Sequence, residues 1–135
     1  MVPSPTVVPR PGTFGAALAA AADLAGRMAV LGWGSLLAGS MQMVHAELAE
    51  LLLTLPAGAR DAAVGRDAGT ATAVAGLPGD RPIHDSLPAL SAALAAALDD
   101  VTAGRVPLQS PEPVAAGLWS ALTYVGHQEQ MWLQV

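Results

Sequence analysis

Three histidines and a small set of carboxylates are the side chains of this 135-residue chain that could bind a metal ion or transfer a proton. His45 stands between Met41 and Leu48 at helical spacing, and Glu50 follows within two turns. Imidazole nitrogens and carboxylate oxygens are common metal ligands. The pattern therefore makes His45 and Glu50 candidate metal ligands. The alternative is a partly buried imidazole hydrogen-bonded across an interface, beside a solvated Glu50.

The remaining ionisable residues of interest lie toward the end of the chain. His127 and Glu129 are two residues apart, and Glu129 falls on the apolar stripe predicted for the last helix. A buried carboxylate would need a basic partner, whereas a helix end open to water would need none. His84 precedes a predicted helix and is expected to be exposed. Asp99 and Asp100 are interpreted as a solvated acidic pair near a helix end.

Composition excludes several classes of function. There are no cysteines, so disulfides, thiol catalysis and cysteine-ligated clusters are ruled out. Lys and Arg total 6 against 11 Asp and Glu, and the net charge of −5 disfavours binding to nucleic-acid phosphates. The sequence contains no recognisable nucleophile–base pair or phosphate-binding loop. The proline-rich start differs from a secretory signal, so we expect a cytoplasmic protein.

The chain is strongly apolar for a protein with so few charges. Hydrophobic residues make up 53% of it and charged residues 13%, and the mean hydropathy is +0.45. A membrane protein or an extensive subunit interface would explain this. The longest charge-free stretches, 28–46 and 113–128, are interrupted by glycine and polar residues, unlike the run of about 20 apolar residues that spans a membrane. We therefore predict no membrane segment and a homo-oligomer that buries the apolar excess.

Abundant Ala and Leu, with apolar residues at steps of three and four, predict an all-α fold. Residues 1–12 carry four prolines and are predicted to form a flexible tail before one helical domain, 13–135. The first helix is expected to follow an N-cap at Thr13 and to run to a break at Gly39 and Ser40. The second is expected to end or kink at Pro56.

The second half of the chain predicts two more helices. The third begins near Asp85 or Ser86, with Pro88 in its first turn, and Gly104 ends it. The fourth begins at Ser110-Pro111. The stretch between residues 56 and 82 has little periodicity apart from a short helical segment around 59–64. Four helices with a long connection between the second and third predict a four-helix bundle with a crossover, as in ferritin-like folds.

With these elements in place, the chain resembles the Dps family, small ferritin-like proteins that assemble into hollow shells. Members share a motif with two histidines twelve residues apart, and here Trp33 and His45 stand twelve apart within WGSLLAGSMQMVHAELAELL. The segment ARDAAVGRDAGTATAVAGLPGDRPIHD is similar to the Gly-Thr-rich connection of the family. The ending VGHQEQMWLQV is similar to the end of its last helix, with Gly126 and Trp132 in place. The resemblance covers residues 14 to 135.

The resemblance implies a shell-forming subunit and an iron-oxidising site shared between two subunits. This chain departs from that site at four positions. Trp33 replaces the first histidine, and Ala49, Arg60 and Val64 stand where carboxylates are expected. Indole has no lone pair for iron, and a guanidinium repels a cation. His45 is the ligand that remains.

We therefore predict a Dps-like oligomer related to iron storage and oxidative-stress protection, with a degenerate ferroxidase site, weak or no iron oxidation, and iron as the expected metal. The alternative is a non-catalytic helical-bundle interaction or structural protein that forms a homo-oligomer. A third hypothesis is a small metal-dependent enzyme using His45, His127 and Glu129. The number of subunits, the bound metal and the physiological partner stay open.

Overall fold

The computed structural model describes residues 12–30, 35–64 and 82–133, with side chains described except at 35–36, 82–86 and 132–133. Its helices are α1 (Phe14–Val30), α2 (Ser35–Thr54), α3 (Ala57–Arg60), α4 (Pro82–Thr102) and α5 (Pro111–Leu133). These ranges contain no strand, only an isolated bridge between Thr13 and Ala63. The predicted all-α class is confirmed for them. None of these helices is long and apolar enough to cross a membrane.

The start of α1 follows the local sequence signals. Thr13 caps the helix, since its Oγ1 accepts a hydrogen bond from the backbone N–H of Ala16 at 3.2 Å. Asp23 and Arg27, four residues apart, form an ion pair at 3.0 Å on the exposed face. The predicted tail lies outside the described residues except for Gly12, so its boundary stays a prediction.

The predicted break at Gly39 and Ser40 is wrong. α1 already ends at Val30, and α2 runs through both residues without interruption. A glycine inside a helix costs about 1 kcal/mol, whereas each large apolar side chain that α2 buries contributes about 1.5–3 kcal/mol. The buried stripe of α2 is continuous across the glycine: Leu37, Met41, Val44, Leu48 and Leu51. Packing therefore overrides the local preference for a break.

Pro56 ends the second helix instead of bending it. α2 stops at Thr54, and Pro56 adopts an extended conformation with φ −65° and ψ 155°. A proline has no N–H to continue the helix, and its ring disfavours helical geometry in the preceding residue. The short helix expected around 59–64 forms slightly earlier, at Ala57–Arg60.

The residues after α3 are bonded to the start of α1. The backbone N–H of Phe14 donates to the carbonyl of Ala62 at 2.8 Å, and the N–H of Val64 donates to the carbonyl of Gly12 at 2.8 Å. These bonds satisfy backbone groups that would otherwise face the core without partners. They fix α3 against the first turn of α1.

α4 begins at Pro82, earlier than predicted. Pro88 consequently lies inside the helix rather than in its first turn. Proline inside a helix costs about 3 kcal/mol, because it lacks an N–H and its ring clashes with the preceding turn. The side chain of Pro88 itself is exposed. The buried residues that offset this cost are Leu87, Leu90, Leu94, Ala97 and Val101.

The end of α4 agrees with the prediction. Gly104 has a φ of 77°, a conformation that glycine adopts without steric cost. Its N–H donates to the carbonyl of Val101 at 3.2 Å, and the N–H of Arg105 donates to the carbonyl of Asp100 at 2.9 Å. This pair of bonds is a Schellman motif, and it turns the chain sharply toward α5.

The four long helices share one core. α1 packs against α2 and α4, and α5 packs against the same two helices. In the described ranges, α1 and α5 are not closely packed, nor are α2 and α4. The order around the core is therefore α1, α2, α5, α4. Its fully buried large side chains include Phe14, Leu18, Leu24, Met28, Leu37, Met41, Leu48, Leu87, Leu90, Leu94 and Leu118.

Cross-helix contacts establish the helix directions. Residues near the start of α1 meet those following α2, while His45 meets Ala22, so α1 and α2 are antiparallel. Gln128 meets Ser40, and Gly117 lies beside Leu51, so α5 is antiparallel to α2. Residues 103–110 join α4 and α5 into a packed helical hairpin. α2 and α4 therefore run in the same direction, and the chain between them, residues 55–81, includes α3.

Candidate functional site

His45 lies on the side of α2 that faces α1, and it is exposed. Its helical spacing from Met41 and Leu48 predicts a place on their apolar stripe, but this prediction is wrong because Val44 takes the buried position. The Nδ1 atom of His45 is 2.7 Å from the backbone oxygen of Ala22. A carbonyl oxygen only accepts, so Nδ1 carries the proton and donates. In the neutral ring, Nε2 then holds the lone pair that could bind a metal ion or accept a proton.

Glu50 does not share a helix face with His45. Five residues along an α-helix separate two side chains by about 140°, and Glu50 is exposed. Among the residues that the structure describes, no three or more His, Asp or Glu side chains are grouped so as to hold a metal ion. His45 and Glu50 as metal ligands stay a prediction. A metal at His45 would need further ligands from beyond its own helix.

Arg60, where the resemblance expects a carboxylate, lies against the first turn of α1. The atoms of Arg60 closest to the position that a Gly15 side chain would take are its Cγ and its carbonyl oxygen. Arg60 thus packs α3 onto α1. Trp33 lies outside the described residues, as do the side chains of His84 and Trp132.

On α5 the residue that faces the core is Gln128 and not Glu129. Gln128 is buried, and its Nε2 donates to Oγ of Ser40 at 3.0 Å. Glu129 is half-buried, so its predicted position on the buried stripe is wrong by one residue. Gln128 and Glu129 follow the buried Val125 by three and four residues, so helical spacing permits either one to be buried. The hydrogen bond to Ser40 of α2 favours Gln128. His127 and Glu129 point about 160° apart on the helix, so they do not converge on one site within this chain.

The aspartates at the end of α4 are not simply solvated, which corrects the sequence interpretation. Nη1 of Arg105 donates to Oδ2 of Asp99 at 2.8 Å and to Oδ1 of Asp100 at 3.1 Å. The side chain of Asp100 is only 3% exposed, against 60% for Asp99. The hydrogen bond to Asp99, and then that to Asp100, raise the pKa of Arg105 above its ordinary value, so it stays charged. Gly104 could have predicted this contact from the sequence, because a glycine in a Schellman motif folds the next residue, here Arg105, back over the end of the helix.

A cleft of 730 Å³, here called the α5 cleft, opens beside α5 and reaches Ser40 of α2. Its α5 lining is Ser120, Thr123, Tyr124, His127, Gln128 and Met131. Steps of three and four place these residues on one face of the helix. The described lining combines hydroxyl, imidazole, amide and thioether groups, with no carboxylate or guanidinium among these residues. Sequence reasoning missed the cleft, since its polar side chains look like an ordinary wet helix face.

The all-α fold, the imidazole of His45 and the α5 cleft are the features from which a function can be inferred. No protein-family model, curated protein or solved structure matches this chain. Function is accordingly inferred from the chain's own geometry.

Proposed function

We propose that this chain is a Dps-like, ferritin-like subunit that associates with copies of itself, with weak or absent iron oxidation. The observation that carries this proposal is the exposure of large apolar side chains on α2 and α5. Leu53 is 87% exposed, Trp119 63% and Met43 52%. Burying a side chain of this size contributes about 1.5–3 kcal/mol. A single subunit forgoes that stabilisation, and an assembly gains it.

The order of the long helices supports the ferritin-like part of the proposal. α2 and α4 run in the same direction on opposite sides of the core, and the connection between them, residues 55–81, includes only the short helix α3 among its described residues. An up-down-up-down bundle needs only short loops, whereas a single long crossover is the arrangement of ferritin-like folds. The crossover predicted from the low periodicity of this stretch fits the same topology.

A second copy of this chain is the partner that the charge distribution favours. Only 13% of the residues are charged, and α5 carries two charged side chains, Glu112 and Glu129. Two copies can therefore approach along α5 with little like-charge repulsion. Most homo-oligomers are closed and symmetric, so the same exposed apolar surface is buried in every subunit.

Light scattering after size-exclusion chromatography tests the assembly. We expect a native mass that is a multiple of 13.6 kDa. Leu53→Gln and Trp119→Gln each remove an exposed apolar side chain, and at least one should weaken association about 10- to 100-fold, the equivalent of about 1.5–3 kcal/mol. Ala116→Gln, at an exposed position on α5, is the control and should leave the mass unchanged. A wild-type chain that remains monomeric at every attainable concentration contradicts the proposal.

Weak or absent iron oxidation is expected because the chain supplies His45 without the carboxylates of the family site. The test adds Fe(II) without oxygen, admits air, and follows the absorbance of Fe(III). We expect a rate no faster than in buffer and no change with His45→Ala. Gly26→Ala is a second probe, since its Cβ would lie 3.1 Å from Nδ1 of His45 and displace the ring. A fast rate that both substitutions abolish would instead establish a working oxidation site.

A further inference from the structure

The α5 cleft has the size of a small-molecule site. Its 730 Å³ lies inside the range of about 300–1,000 Å³ that is usual for ligand pockets. It is partly open to solvent, and among the described residues it is lined by one face of α5 and by Ser40 of α2. A ligand of modest size would therefore lie along α5 and keep part of its surface in water.

A hydrogen bond joins the two helices that line the cleft. Gln128 is buried, and its Nε2 donates to Oγ of Ser40 at 3.0 Å. This bond joins α5 to α2 at the point where both line the cleft. Preorganised walls reduce the entropy lost on binding, so the arrangement favours a ligand that needs no large rearrangement of the protein.

The apolar surfaces of the cleft suit an aromatic ring. Tyr124 and Met131 are both partly exposed and both line it. Aromatic rings pack in offset or edge-to-face geometry against tyrosine, and methionine sulfur makes favourable contacts with ring edges. Tyr124 and Met131 lie about two turns apart on α5, roughly 10 Å along its axis, so together they provide a surface along which an elongated aromatic molecule can lie.

The polar groups of the cleft match hydrogen-bonding groups on an uncharged ligand. Thr123 donates its hydroxyl to the carbonyl of Trp119 at 2.8 Å, which leaves its oxygen able to accept. Ser120 and the phenol of Tyr124 can donate or accept, and so can the imidazole of His127. Among the residues that the structure describes, the lining has no carboxylate or guanidinium to compensate a full charge on the ligand, and partial desolvation of an unpaired charge is unfavourable. A metal ion or a phosphate therefore fits poorly.

We propose that the α5 cleft binds an uncharged aromatic small molecule carrying a hydrogen-bonding group. The ring lies against Tyr124 and Met131, and the polar group meets the hydroxyls of Ser120 and Thr123 or the imidazole of His127. This site lies on α5, away from His45 on the α1 side of α2, and it is independent of any iron chemistry.

The fluorescent amine N-phenyl-1-naphthylamine is a suitable probe, since it is uncharged, aromatic and has one N–H group. We expect saturable fluorescence enhancement with one probe per chain. Ser120→Phe fills the cleft and should weaken binding at least about tenfold, and Tyr124→Ala, which removes the ring surface, about three- to tenfold. Ser91→Phe, a half-buried serine on α4, is the matched control and should bind as wild type. Circular dichroism and thermal melting identify any variant that has lost its fold.

Three results overturn the proposal. The first is fluorescence that rises without saturation, which indicates binding to scattered apolar surface. The second is binding that folded Ser120→Phe and Tyr124→Ala leave unchanged. The third is a native mass that falls in Ser120→Phe but not in Ser91→Phe, because the cleft would then be covered by another copy of the chain.

Discussion

Leu48→Ala is expected to lower the free energy of unfolding by about 2–5 kcal/mol, the range for a buried leucine cut back to alanine. Leu48 is fully buried in the middle of α2, on the stripe that faces the other long helices. Its removal loses the transfer free energy of the side chain and leaves a cavity that close-packed neighbours fill only in part. Urea unfolding followed by far-UV circular dichroism measures the change.

The matched control lies five residues later on the same helix. Leu53 is 87% exposed, so Leu53→Ala should change the stability of the isolated subunit by less than about 0.5 kcal/mol. Its effect should grow with protein concentration if Leu53 is buried between copies, since association stabilises the folded state by mass action. The effect of Leu48→Ala should be large at every concentration. If Leu48→Ala and Leu53→Ala lowered the free energy of unfolding of the monomer equally, the face of α2 that contains Leu48 would not be its buried face.

Gly15→Ala is expected to destabilise the protein by about 1–3 kcal/mol, as overpacking does in a close-packed interior. Gly15 is buried in the first turn of α1. A Cβ there would overlap Cγ of Arg60 and lie 2.9 Å from its carbonyl oxygen. The side chain of Arg60 can rotate away, but its backbone is tied to α1 through the bond from Phe14 to Ala62. α3 would therefore have to move.

Gly39→Ala is the control for that substitution and should have the opposite sign. Gly39 is exposed inside α2, and a Cβ there meets nothing within 4 Å. Replacing it should stabilise the protein by about 0.5–1 kcal/mol, because alanine loses less backbone entropy in a helix. Thermal melting of the two variants side by side gives both signs in one experiment. A Gly15→Ala variant that gains stability as Gly39→Ala does would show that α3 does not rest on α1 as described.

Several features of the fold could be predicted from short stretches of sequence. Thr13 caps α1, Gly104 closes α4 and Pro111 opens α5 where each was expected. In each case the decisive atoms belong to residues within one turn of the signal. A hydroxyl that reaches a nearby N–H, a glycine that tolerates positive φ and a proline without N–H act in any tertiary context.

The structure overturned expectations where the outcome depends on another helix. Gly39 and Ser40 lie in unbroken helix because the side chains on either side of them pack into the core. Gln128 is buried, instead of its neighbour Glu129, because Ser40 of α2 supplies a hydrogen-bond partner. Asp100 is buried because a turn brings Arg105 back to it. Helical periodicity alone does not distinguish these alternatives.

The candidate sites divide in the same way. The sequence alone identified His45 as a side chain that could bind a metal ion or a proton, because the residue type carries that information. Only the tertiary structure decided that the carbonyl of Ala22 accepts a hydrogen bond from Nδ1 of His45, and that six residues of one α5 face and Ser40 line a cleft. A tautomer and a cavity depend on which helices are neighbours, and that is decided by packing over the whole chain. The sequence therefore identifies which side chains could bind a ligand, whereas the packing of α1, α2, α4 and α5 determines which residues they contact.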